Sequence, residues 1–170
     1  ILSFVSTAQK AQKIGYIDME YILENIPEYQ EALKKINAKS IDWQRDIEKQ
    51  QQEIDNEKTE LSNEKVLLTD DLIVEKEEDI QIKELQLKKQ QASYFGTEGD
   101  LYFLRKQLVK PIQDLVYNAV QDIAAKRKYD FVLDKSSNLI MLYSNDAYDI
   151  SDLVISSISR AKKVSVFQEK

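Results

Sequence analysis

Residues 33–68, LKKINAKSIDWQRDIEKQQQEIDNEKTELSNEKVLL, and residues 73–115, IVEKEEDIQIKELQLKKQQASYFGTEGDLYFLRKQLVKPIQDL, decide how this chain folds. In the first, Leu33, Ile47, Ile54, Leu61 and Leu68 keep a seven-residue spacing that only Ser40 interrupts. In the second, Ile73, Ile80, Leu87, Tyr94, Leu101, Leu108 and Leu115 resume the spacing in a new phase. Sustained heptad spacing lays one apolar stripe along a helix and asks for a partner helix. The two lines mirror about Val74, which predicts an antiparallel hairpin with its tip near residues 69–79 and partners such as Ile54 with Tyr94 and Leu61 with Leu87. At 1.5 Å of rise per residue, each arm would be roughly 60 Å long. The flanking seam positions run Ile36, Trp43, Gln50, Glu57, Glu64, apolar at the base and polar toward the tip. A seam that thins outward predicts a flexible arm on a firmer base.

Outward from this stretch, the whole chain has 170 residues, 42% hydrophobic and 32% charged, a composition that fits one soluble domain with excess surface. Three glycines and two prolines are too few for a loop-rich or all-β fold. The lack of cysteine and histidine removes thiolate or imidazole metal sites and any triad with a histidine base. A net charge of −6 favours neither nucleic acid nor an anionic membrane. Between Glu64 and Asp79 seven acids face Lys65 and Lys76, seven minus two, a local balance of −5. No segment reaches the ~20 apolar residues that a membrane-spanning helix needs.

Residues 1–12 read as the remnant of a signal peptide or as a disordered tail, with Ser6-Thr7-Ala8 offering small residues for cleavage before Gln9. Residues 13–19, KIGYIDM, read as a strand, after which Asp18 can cap a helical turn and Pro27 suits the first turn of the long helix. Gly96 and Gly99 mark a soft point in the descending arm, and Pro111 a kink or restart where it meets the rest. Residues 129–134, YDFVLD, and 139–143, LIMLY, read as a β-hairpin joined by a four-residue connection. Asp149 and Asp152 resemble a capping pair before a last amphipathic helix.

These elements predict a mostly helical α+β fold. A long antiparallel coiled-coil hairpin, residues 27–111, projects from a small β-strand body, residues 13–26 and 112–163, with a tail at 164–170. Strands apolar on both faces need more cover than so small a body supplies, which predicts oligomerisation through Ile14, Tyr16, Ile17, Phe131, Leu133, Ile140 and Leu142. Trp43, facing Arg105 in that pairing, Phe95, Tyr102 and Phe103 are the aromatic candidates for contact with a bound protein, packing within the arm being the other reading. Gly96, Gly99 and Pro111 are candidate hinges. Without a pocket, a glycine-rich loop or a histidine, no catalytic, cofactor or metal site is assigned.

KIGYID, NIPEYQ opening a charged helix, LVKPIQDLVYNAVQDIA, YDFVLD and DISDLV together resemble the Skp (OmpH-like) periplasmic chaperones, over residues 13 to about 158. The resemblance implies a homotrimer whose helical arms surround a cavity. It implies an ATP-independent holdase that keeps unfolded outer-membrane proteins in the periplasm. Family members are typically basic, whereas this chain and its tip are acidic, so no lipopolysaccharide site is assigned. A structural coiled-coil adaptor of the cell envelope is the alternative, distinguished by a stiff, continuous seam.

Overall fold

The computed structural model describes residues 11–137 and 141–168, with side chains through residue 162. The expected signal remnant lies almost wholly in residues 1–10, outside the described residues, and Ile140 lies outside them too. The chain is mostly helical and divides into two compact units, one made of the chain up to Gln30 and from Pro111 onward, the other of Glu31–Lys110.

The first unit is built on a two-stranded parallel sheet. Strand β1 (Ile14–Ile17) pairs with β2 (Phe131–Asp134) in the register Ile14 to Phe131 and Tyr16 to Leu133. On the other edge of β1, Tyr16 bridges to Asp149, and the Ile150 N–H donates to the Tyr16 carbonyl at 2.9 Å. Asp18 caps α1 (Met19–Glu24), its carboxylate accepting from the Tyr21 N–H at 3.0 Å. Asp149 accepts from the Ser151 N–H at 2.8 Å where α5 (Ser151–Gln168) begins. The Ser151 hydroxyl accepts from the Asp18 N–H at 2.9 Å, tying the end of β1 to the start of α5. One face of the sheet, through Ile17 and Val132, joins a core of Ile22, Leu23, Ile26, Val116, Ile123, Ile150, Val154 and Ile158. Ile22 and Val154 have no accessible surface. Truncating such a residue to alanine costs about 2–5 kcal/mol, a large part of what a small core supplies.

The second unit is an antiparallel helical hairpin. The ascending helix α2 (Pro27–Glu64) opens at the expected proline, and a 3-10 turn over Lys65–Leu67 leads through Thr69 into α3 (Asp70–Phe95). Ile47, Ile54, Leu61, Ile80 and Leu87 form its buried seam, flanked by Leu68, Tyr94 and Phe95.

The stripe is as expected, but its pairing is not. Lys58 meets Glu84 at 2.6 Å and Lys65 meets Glu77 at 2.9 Å, pairs whose numbers add to 142. Lys83 meets Glu57 at 2.5 Å and Lys76 meets Glu64 at 3.5 Å, pairs that add to 140. The register is thus centred on 141, which sets Ile54 against Leu87 and Leu61 against Ile80, one heptad from the expected partners. A stripe with a seven-residue period fills equally well after a slip of seven. The turn breaks the tie: Asp70 and Asp71 sit in the first turn of α3, where the positive end of the helix dipole favours carboxylates. The tip is therefore at residues 65–69, and residues 70–79 are helical.

Helix α3 stops at Phe95, and α4 (Asp100–Arg127) starts after Gly96 to Gly99. Helix α4 runs through Pro111 without ending, so the proline does not restart it, although it removes the hydrogen bond to the Gln107 carbonyl. Just after the glycines Leu101 and Leu108 stay half-buried on the expected line, but beyond Pro111 Val116 and Ile123 are buried and Leu115 is exposed. The chain leaves α4 through Lys128 in the left-handed conformation, φ 55°, and the Tyr129 N–H closes the turn on the Ala124 carbonyl at 3.0 Å.

The second strand of the expected β-hairpin does not form where it is described, since residues 141–143 are irregular. Asp134 turns the chain sharply after β2 by accepting from the Ser136 N–H at 3.0 Å and its hydroxyl at 2.7 Å. Instead of pairing, Met141 and Tyr143 line a groove with Ile14 and Leu133 over the second face of the sheet. The last helix continues to Gln168, beyond residue 163, where the sequence suggested a tail.

Candidate functional site

The chain offers two surfaces rather than one enclosed site. In the first unit, alternation along β1 and β2 sends Gly15, Ile17 and Val132 to the core face and Ile14, Tyr16, Phe131 and Leu133 to the other. Gly15 is needed on the core face, because a Cβ there would stand 3.0 Å from the Tyr129 ring. The second face carries an open groove of about 500 Å³ lined by Ile14, Tyr16, Leu133, Met141, Tyr143 and Tyr148, among others. Ile14, Phe131, Leu133, Leu142 and Tyr143 are exposed, Leu142 at 95%. Tyr16 and Ile17, expected at an interface between copies, are buried within their own chain, Ile17 in the core and Tyr16 beneath Lys135. Strand alternation separates Ile17 from Ile14, but it puts Tyr16 on the same face as Ile14, and only Lys135, from beyond β2, distinguishes those two.

Beside this face Lys135 lies 3.5 Å from Asp18 and 3.8 Å from Asp149, with Tyr21 donating to Asp152 at 3.1 Å. The Lys135 ammonium loses water to its surroundings, which would lower its pKa, but Asp18 and Asp149 outweigh that and hold it above the ordinary value. The same Asp152 carboxylate, hydrogen-bonded to the Tyr21 hydroxyl, pushes that phenol upward. Lys135 is matched by Asp18 and Asp149, which also cap helix starts, and Asp152 accepts from the Tyr21 hydroxyl, a structural arrangement. Among the described residues, no group of carboxylates could hold a metal ion.

The second surface is on the hairpin. Trp43 stacks on Tyr94 at 5.0 Å with the rings 14° from parallel and meets Phe95 edge-on at 6.4 Å. The cation over its ring is Lys39, at 5.3 Å, four residues back on the same helix; the expected partner Arg105 follows from the wrong register. Trp43 and Phe95 are therefore half-buried parts of the hairpin's own packing. Tyr102 and Phe103 are exposed and touch each other edge-on at 5.4 Å. Gly96 and Gly99 are positioned by space rather than by φ: a Cβ would lie 2.3 Å from the Ala92 carbonyl oxygen at Gly96 and 2.7 Å from that of Ser93 at Gly99.

Sequence reasoning missed a further set. Ile41, Val74, Ile82 and Leu85 are exposed apolar residues on the hairpin helices. At 100° per residue, Val74, Ile82 and Leu85 lie on the side of α3 away from the Ile73–Ile80–Leu87 seam. The signal was present as apolar residues off the heptad, but a coiled-coil reading discards them as phase errors. Among the described residues, no helix is long and apolar enough to cross a membrane.

Comparison with known proteins matches residues 13–158 to the family described as outer membrane protein (OmpH-like). No curated protein matches the chain. Its fold is similar to the crystal structure of a protein from Caulobacter crescentus CB15 described as an outer membrane chaperone (OmpH-like), with a TM-score of 0.72 and 14% identity. That similarity covers 94% of this chain and 92% of the other.

Proposed function

The chain belongs to the outer membrane protein (OmpH-like) family, and from that premise we propose that it is an ATP-independent holdase for unfolded outer-membrane proteins in the periplasm. The observation that carries this reading is the distribution of exposed apolar side chains: Ile41, Val74, Ile82, Leu85, Tyr102 and Phe103 are spread along charged helices rather than gathered into a pocket. Scattered weak contacts suit a partner with no fixed shape, since each adds a little burial without demanding a particular sequence. An enzyme would need converging polar groups in a cleft, and this arrangement makes no use of one.

The working form is a homotrimer assembled through the second face of the sheet, with the hairpins of three copies bounding a cavity. The exposed Ile14, Phe131 and Leu133 on this face support this, because apolar side chains left accessible on a small sheet gain most by being covered by another copy. Gly96, Gly99 and Pro111 are the places where a hairpin arm would adapt to the size of its client, α3 and α4 being interrupted at the first two and α4 lacking a hydrogen bond at the third.

The test is suppression of aggregation when an outer-membrane barrel protein is diluted from urea into the purified protein at stoichiometric ratio, with sedimentation run in parallel. The wild type is expected to sediment as a trimer and keep the barrel soluble. Leu133→Asp, at a side chain 38% exposed in the single chain, is expected to give folded monomers that hold clients poorly. A wild-type monomer at micromolar concentration refutes the assembly. A trimer that suppresses no aggregation refutes the holdase and leaves the structural adaptor.

A further inference from the structure

The hairpin turn carries an apolar pair with no packing role. Val66 is 88% exposed and Leu67 84%, while the next residue, Leu68, turns into the seam. A turn selected only for solubility would put polar residues here, and burying two such side chains against a partner would recover a sizeable apolar area.

The charge around the pair selects the partner. Lys65 and Lys76, the only cations between Glu64 and Asp79, are already engaged by Glu77 and Glu64 across the hairpin. Asp70, Asp71, Glu75, Glu78 and Asp79 are exposed and unmatched by any ion pair among the described residues. An anionic bilayer surface is repelled by such a rim. A cationic one is attracted, and the two protruding side chains then need apolar groups among the cations.

We propose that the turn at residues 65–69 is a docking knob for a cationic polypeptide segment that carries apolar residues between its lysines and arginines. Val66 and Leu67 insert among the segment's apolar side chains, and Asp71, Glu75 and Glu78 face its cations. The site goes beyond the holding of clients by the arms: its contacts are confined to the turn, and it would recognise a basic segment whether or not the arms hold anything.

The experiment uses the full chain and a fluorescent, unstructured peptide of lysine, leucine, serine and proline, followed by anisotropy, beside vesicles of phosphatidylglycerol and of phosphatidylcholine. Val66→Ser with Leu67→Ser removes the knob. Asp71→Asn, Glu75→Gln and Glu78→Gln remove rim charge without touching the ion pairs of the turn. Each is expected to weaken peptide binding about tenfold, with binding weaker at high salt. Glu20→Gln, Glu31→Gln and Glu98→Gln change the net charge equally at exposed sites elsewhere and are expected to leave the affinity within about twofold. Equal loss in this control reduces the effect to net charge and overturns the proposal, as does full binding of a leucine-free peptide. Tighter, Leu67-dependent binding to either kind of vesicle would assign the turn to a membrane surface instead.

Discussion

The heptad slip in the hairpin can be tested by crosslinking, because the two registers differ by more than a disulfide can bridge. Moving the pairing by seven residues shifts each partner by about 10.5 Å along the helix axis. A disulfide spans Cα atoms roughly 4.4–6.8 Å apart, so one register permits it and the other does not. Cysteines replacing Ile54 and Leu87 should therefore oxidise within one chain, whereas cysteines at Ile54 and Tyr94 should not. The native chain has no thiol to compete. The bridge would close a loop of roughly thirty residues and, by the chain-entropy relation, raise stability by about 3–4 kcal/mol if it adds no strain. Non-reducing mass spectrometry after proteolysis identifies the link, and thermal melts with and without reductant measure the gain. Rapid closure of the Ile54/Tyr94 pair with an unreactive Ile54/Leu87 pair would refute the register centred on 141. It would also require the four cross-hairpin ion pairs to be rearranged.

Replacing Gly96 or Gly99 by alanine should destabilise the hairpin rather than stiffen it, because the new Cβ meets backbone oxygen at 2.3 Å or 2.7 Å and the helix cannot simply continue through. A lower melting temperature for either variant is expected, and a raised one would mean that this turn readily becomes helical. Acid should loosen the ion pairs across the hairpin. The Lys58 hydrogen bond holds Glu84 below the ordinary carboxylate value of 4.5. A depressed folded pKa contributes stability that is present above the unfolded value and lost as the pH falls through the folded one. The Glu84→Gln variant should therefore show a shallower loss of hairpin stability below pH 4.5 than the wild type, and identical acid profiles would deny the pair any role.

Much of the candidate surface could not be read from the sequence, for a reason visible in individual residues. For Trp43 and Phe95 the sequence left contact with a bound protein and packing within the arm both open, and they pack on Tyr94 inside the hairpin. Ile82 and Leu85 lie off the heptad line and drew no reading from the sequence, yet they are exposed apolar side chains. Whether an apolar side chain is covered depends on the partner element, and local spacing says nothing of it.

The sequence alone determined the features whose causes lie within a few residues. The heptads required a helical hairpin, Asp18 and Asp149 marked helix starts, Pro27 opened the long helix, and the paired glycines interrupted α3 and α4. Only the tertiary structure decided which heptad faced which, since a period of seven is blind to a slip of seven and the turn had to break the tie. It also decided that Val116 rather than Leu115 enters the core, because beyond Pro111 the helix packs into the core of the first unit, whose facing residues and not the hairpin's heptad line select the buried side. Likewise, residues 141–143 carry a strand-like composition but form no strand; they line the groove over the second face of the sheet instead, a placement that strand propensity does not encode. Local chemistry chose the elements; long-range packing chose their partners.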